Sequence, residues 1–149
     1  MKTKRRSALK KMFASVAGLA GLGITAKASE EKTVDEVINF QNAPTLSNST
    51  RYGNLLFLSG RGGYGGEPFT IENHTKITLD LLEESLIRLG SSMEKCLKAT
   101  VYLTNIADLD GMNATYRGRF GANPPARSTV SVTGMPGNSL VQIDVIAYI

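Results

Sequence analysis

The stretch Leu140-Val141-Gln142-Ile143-Asp144-Val145-Ile146-Ala147-Tyr148-Ile149 closes the chain and decides how the rest is read. Side chains alternate across a strand with a period of two. Val141, Ile143, Val145, Ala147 and Ile149 therefore form one uniformly apolar face. Leu140, Gln142, Asp144, Ile146 and Tyr148 form the other, which is mixed. A strand apolar on one side and partly apolar on the other belongs inside a sheet with layers on both sides. Asp144 is conspicuous there, because a carboxylate taken from water must be paired or functional.

Working toward the N-terminus, Gly134-Met135-Pro136-Gly137 reads as a turn. Ala126–Val132 alternates as a strand, with Arg127, Thr129 and Ser131 on one face and Ser128, Val130 and Val132 on the other. Pro124-Pro125 forces an extended approach to it. Asp108–Phe120 carries an apolar stripe of Leu109, Met112, Tyr116 and Phe120, weakened by Gly111 and Gly118, and predicts a second helix with Asp108 as N-cap. Lys95–Leu103 predicts a strand with Leu97, Ala99, Val101 and Leu103 on one face and Cys96, Lys98, Thr100 and Tyr102 on the other.

Thr70–Leu89 is the clearest helix. Thr75, Thr78, Leu79, Leu82, Leu86 and Leu89 recur at helical spacing, and Glu72, Lys76, Asp80, Glu84 and Arg88 occupy the opposite side. Glu72–Lys76 and Glu84–Arg88 have the spacing of favourable pairs, and Gly90 supplies a left-handed stop. Asn54–Ser59 is an apolar strand that runs into Gly60-Arg61-Gly62-Gly63-Tyr64-Gly65-Gly66, which reads as a loop. That loop lacks the GxxxxGK[ST] pattern of a nucleotide P-loop. Val34–Asn48 yields only a short edge strand near residues 37–41, then a loop. The order β, β, α, β, α, β, β predicts an α+β domain with two helices on one face of a mixed sheet. Tyr102, Ile146 and Tyr148 make the uncovered face poorly suited to water, so a second subunit is expected to bury it.

Composition narrows the functions. The chain has 149 residues, 42% hydrophobic and 20% charged, the composition of a globular domain. One Cys (Cys96) and one His (His74) exclude a disulfide framework, a thiol zinc cluster and His/Cys/Cys zinc deaminase chemistry. Both read as ordinary packing residues, and no residue set suggests a metal or organic cofactor. The net charge of +4 is concentrated at the start. Residues 1–29 carry Lys2, Lys4, Arg5, Arg6, Lys10, Lys11 and Lys27 and no acid, whereas the remaining residues carry ten cations and thirteen anions, a net of −3. A basic nucleic-acid surface on the folded body is thereby disfavoured.

The start itself reads as an export signal spanning 1–28, ahead of a domain over 29–149. Arg5-Arg6 with Leu9-Lys10 resembles a twin-arginine signal. The uncharged Met12–Ile24 is too short to span a bilayer. Ala26 and Ala28 suit cleavage before Ser29. A periplasmic or secreted bacterial location follows as an expectation, with no membrane attachment of the mature form.

Four motifs carry a family resemblance: Ser59-Gly60, Asn113-Ala114-Thr115-Tyr116, Pro125-Ala126-Arg127-Ser128-Thr129-Val130, and Gln142-Ile143-Asp144-Val145-Ile146-Ala147. In this order they resemble the RidA/YjgF family of reactive intermediate or imine deaminases, formerly labelled endoribonuclease L-PSP, over roughly residues 37–149. The resemblance implies a chorismate-mutase-like α+β fold, a homotrimer and clefts between subunits. It also implies a substrate carboxylate held by Arg127 and a water activated by Asp144, where many members have Glu. Ser59, Gly60 and Asn113 match cleft-lining positions, and Tyr116 and Thr129 are added as substrate contacts. Besides Asp144, the sequence departs from the pattern at three places. Leu46 stands where the family has a tyrosine, Thr129 where well-known members have Cys, and Arg61 where Gln is usual. Arg61 is expected to add positive charge near the mouth, and Arg127 to keep the Asp144 pKa low. Hydrolysis of 2-imino acids or enamines to 2-oxo acids and ammonia is the expected activity. A non-catalytic trimer binding a small carboxylate is the alternative.

Overall fold

The computed structural model describes residues 31–149, so the stretch read as an export signal lies outside the described residues. The chain forms β1 (Thr33–Phe40), β2 (Ala43–Tyr52), β3 (Leu55–Gly62), α1 (Ile71–Arg88), β4 (Cys96–Leu103), α2 (Leu109–Tyr116), β5 (Ala126–Ser131) and β6 (Val141–Tyr148). The strands make one six-stranded sheet in the order β1-β2-β3-β6-β4-β5. Only β4–β5 is parallel, as the crossover through α2 requires; the other neighbours are antiparallel. This is the expected α+β arrangement, with β6 at the centre.

It has one strand more than the sequence reading gave. The region read as a short strand and a loop is a complete hairpin, β1–β2. Gln41 and Asn42 turn it with φ of +50° and +62°, the left-handed pair that a two-residue hairpin loop needs. Both strands are polar and mostly exposed, so neither shows the alternation that marks a half-buried strand.

α1 begins where Thr70 Oγ1 accepts the Asn73 N–H at 3.3 Å and ends before Gly90, whose φ is +80°. Its inward face buries Thr75, Thr78, Leu79, Leu82 and Leu86 as expected. The charged side pairs differently. Lys76 bonds Asp80 at 2.6 Å, and Arg88 reaches across to Asp35 on β1 at 2.9 Å. α2 is shorter than predicted. It stops at Tyr116, and Gly118 with φ +78° turns the chain. Asp108 makes no side-chain cap; Asn105 instead accepts from the Ala107 N–H at 3.0 Å. Phe120 lies beyond the helix yet is buried.

The glycine-rich segment is not all loop, because β3 continues through Gly62. Beyond it, His74 ties the loop to β6. Its Nδ1 accepts the Leu140 N–H at 3.2 Å, which leaves Nε2 to donate to the Gly66 carbonyl at 3.2 Å. His74 is fully buried and thus structural, as read. A methyl on Gly63 would lie 2.6 Å from the His74 backbone, so only glycine fits there.

Helices and sheet enclose one core. Leu79, Leu82, Leu86, Met112 and Phe120 pack on Ala99, Val101, Leu103, Val141, Ile143, Val145 and Ala147. A bulge between Cys96 and Lys98 shifts the phase of β4, so Cys96 is buried and Leu97 exposed, the reverse of the predicted faces. Burial pushes the Cys96 thiol up to about 12, which keeps it a neutral packing residue. Among the described residues, no helix covers the other side of the sheet. Leu55, Phe57, Val130 and Tyr148 lie exposed on it, with Tyr102 and Ile146 half-buried beside them.

Candidate functional site

The predicted site residues fall into two groups on opposite faces of the sheet. On the helix side, Arg127 sits on edge strand β5 in register with the buried Ala99 of β4. Its guanidinium lies 4.8 Å from the centre of the Tyr116 ring, a cation–π contact. Asn113, Tyr116, Arg117, Phe120, Pro124 and Arg127 line a cleft of about 600 Å³. Burial pushes the Tyr116 hydroxyl up to about 12 against the opposing pull of Arg127. That hydroxyl has no hydrogen-bond partner among the described residues. Thr129, in register with Val101, points to the same side as Arg127, and its buried Oγ1 is also unpartnered.

On the helix-free side lies Asp144, in register with Thr100. Its β3 neighbours are displaced by a bulge. Leu58 pairs with Val145 and Arg61 with Ile143, so Ser59 and Gly60 together stand opposite Asp144. Ser59 Oγ donates to the Asn48 carbonyl at 3.0 Å. A side chain on Gly60 would collide with Gln142, so glycine lets β3 pass close to β6 here. The Asp144 carboxyl is raised above its ordinary value. Burial is the main cause, partly offset by hydrogen bonds from its own backbone N–H and from the Tyr102 hydroxyl. Tyr102 is raised in turn, by burial and by the adjacent carboxylate.

Two expectations are corrected by this arrangement. Arg127 does not lower the Asp144 pKa, because the two belong to different faces, two strand spacings (roughly 10 Å) apart across β4. For the same reason there is no structural Arg127–Asp144 ion pair within the chain. Arg61 does not stand by the Arg127 cleft. The bulge turns it to the helix side, where it meets Asn48 Oδ1 at 3.4 Å and Ser85 Oγ at 3.3 Å. Leu46 is exposed on β2.

The family profile described as endoribonuclease L-PSP matches residues 39–149. The chain belongs to the RidA/YjgF (endoribonuclease L-PSP) family. Within that family it is 34% identical to a RutC family protein of Pyrococcus horikoshii, covering 76% of this chain and 97% of that one. It is 30% identical to the chloroplastic Reactive Intermediate Deaminase A of Arabidopsis thaliana, covering 86% and 71%. A Rid-family structure from Yersinia pestis superposes with a TM-score of 0.70 at 32% identity, over 80% of this chain and all of that one. An endoribonuclease L-PSP structure from Entamoeba histolytica gives 0.69 at 28% identity with the same coverage.

Three residues of this RidA-family chain were not among the site residues read from sequence. Tyr102 stands beside Asp144, Gln142 packs on Gly60, and Arg117 lines the Arg127 cleft. Strand register decides the first two, and register between distant strands leaves no mark in one sequence. Arg117 had a visible signal. It follows Tyr116 directly, in a turn set by Gly118.

Proposed function

We propose that this protein hydrolyses 2-imino acids, or their enamine tautomers, to 2-oxo acids and ammonia in clefts of a homotrimer. What supports the reading most is Arg127. It lies in a cleft whose lining contains no acid, and its stacking on Tyr116 leaves its N–H edge unpaired among the described residues. A planar guanidinium in that state suits bidentate capture of a carboxylate. Asp144 of a neighbouring subunit supplies the base, because its face is apolar, open and suited to burial by another chain.

In the reaction, Asp144 takes a proton from water as the oxygen bonds to the C=N carbon. The π pair moves to nitrogen, which takes up the proton that Asp144 removed from the water. The carbinolamine then loses ammonia, and the C–N bond is replaced by C=O. A carboxyl raised by burial is a stronger base than an ordinary aspartate, and a bound guanidinium offsets the substrate's charge.

Imines generated by an amino-acid oxidase test the proposal. Wild type speeds their loss, Asp144→Asn removes the acceleration, and Arg127→Ala raises KM. If Asp144→Asn hydrolyses imines like wild type, the carboxylate is structural and the protein is a carboxylate-binding trimer instead. We also propose export of the mature chain. Sequencing the N-terminus of the natively expressed protein tests this, and an intact Met1 in the cytosolic fraction rejects it.

A further inference from the structure

Residues 117–119 place two arginines on either side of Gly118, and the two have opposite fates. The left-handed Gly118 turns the chain sharply after α2. Arg119 swings to α1, where Nη2 meets Asp80 at 2.8 Å and Glu83 at 3.1 Å. Arg117 has no acid partner among the described residues, and it lines the same cleft as Arg127. Among the described residues, that cleft therefore has two guanidinium groups and no carboxylate in its lining. The same lining carries apolar surface from Phe120, Pro124, Pro125 and the Tyr116 ring. Its volume of about 600 Å³ exceeds what a small monocarboxylate fills.

We infer that the cleft selects dicarboxylates: a 2-imino dicarboxylate, or its 2-oxo product, bound by its α-carboxylate to Arg127 and by its distal carboxylate to Arg117. The inference rests on the functional reading above and adds the substrate class. Two cations in one lining with no counter-ion repel each other until an anion with two charged ends bridges them, whereas a monoanion neutralises only one. The apolar wall suits the methylene spacer of such a ligand. The second cation predicted from Arg61 is thus supplied by Arg117, from a different element.

Calorimetry with two stable product analogues of equal chain length tests this on the full-length protein. 2-Oxoglutarate carries the second carboxylate and 2-oxopentanoate ends in a methyl. Wild type is expected to bind 2-oxoglutarate about tenfold more tightly, the factor that corresponds to one additional charge-assisted contact. The preference should shrink as salt rises, because Arg117 is exposed. Arg117→Gln is expected to bring the ratio of the two dissociation constants close to one, and Arg117→Lys to retain part of it. Equal affinities in wild type, no binding of either compound, or a ratio unmoved by Arg117→Gln each overturn the inference. Arg127→Ala separates the two readings. If it leaves 2-oxopentanoate binding unchanged, the carboxylate anchor itself is wrong. If it weakens both ligands while Arg117→Gln changes nothing, only the dicarboxylate assignment falls.

Discussion

The two sides of the sheet solve different electrostatic problems. On the helix side, Arg127 stands at the rim of the core in an open cleft with an aromatic ring behind it. Arginine stays charged in nearly any surroundings, so the cleft need only hold and aim it. On the helix-free side, Asp144 lies among Tyr102, Gln142 and exposed apolar residues, and its pKa responds to what covers it. A second chain packed over that face would strip more water from the carboxylate, which raises its pKa, while an Arg127 brought into the same cleft would lower it. On the proposed reading, the anchor is complete in one chain and the base is tuned by assembly. A reaction needing both must draw them from different subunits, because one chain aims them to opposite sides of its sheet.

The largest expected effect breaks this comparison at its centre. Asp144→Asn keeps the size of the side chain and removes the charge, and it is expected to cut turnover by roughly 10²–10⁴, the span for a general acid–base group. Arg127→Ala is expected to lose carboxylate binding. If each cleft takes Arg127 from one subunit and Asp144 from the next, mixing the two inactive variants rebuilds some sites. Each mixed trimer contains one intact pair, so random reassembly restores about a quarter of wild-type activity. A mixture as inactive as its components would place both groups of a site in the same chain.

Next comes the assembly. Phe57 is exposed on the helix-free face and in register with Ile146. Phe57→Glu puts a charge where an apolar interface is proposed, and should yield monomers by light scattering while the circular dichroism is retained. Ile87 is more exposed, but on α1. Ile87→Glu should leave the mass unchanged and shift stability by no more than about 0.5 kcal/mol. Monomeric wild type, or dissociation by both variants alike, would erase the contrast between the faces.

How far these faces could be read in advance depended on periodicity. α1, β4 and β6 announce themselves because one side of each is buried, and the helical repeat of Thr75, Leu79, Leu82 and Leu86 survives intact. β2 was invisible because Thr45, Ser47, Ser49 and Thr50 form strand without an apolar alternation. Asp144 and Arg127 were legible as residues out of place in strand patterns. Their separation was not, since it depends on the register of β4 with two other strands. Bulges did the remaining damage. One extra residue at Ser59-Gly60 turns Arg61 away, and another beside Cys96 exchanges it with Leu97.

A smaller effect sharpens the view of Arg127 as held from behind. Tyr116→Leu removes the ring under the guanidinium, and the lost cation–π contact (about 0.5–2 kcal/mol) should weaken carboxylate binding by roughly 2- to 30-fold. Tyr116→Phe keeps the ring and removes only an unpartnered hydroxyl, so its dissociation constant should stay near wild type. If Phe and Leu behave alike in titrations with a 2-oxo acid, the hydroxyl matters and the stack does not.

The smallest effect is a slope in stability against pH, and its sign separates Asp144 from the surface acids. Asp144 is raised in the folded chain from its ordinary 3.8, chiefly by burial. The protonated form folds better, so its contribution to stability is full below 3.8 and is lost as pH rises through the higher folded value. Asp35 and Asp80 are lowered, chiefly by their hydrogen bonds to Arg88 and Lys76. Their contributions are present above 3.8 and fade as pH falls through the lower folded values. Urea unfolding of wild type and Asp144→Asn between about pH 3 and 7 measures the difference. Relative to wild type, Asp144→Asn should gain stability as pH climbs past 3.8 and show a constant offset below it, whereas Asp35→Asn should lose ground as pH climbs toward 3.8 and show a constant offset above it. A constant offset for Asp144→Asn across the whole range would mean that folding leaves this carboxyl unaltered, and that the helix-free face does not tune its base.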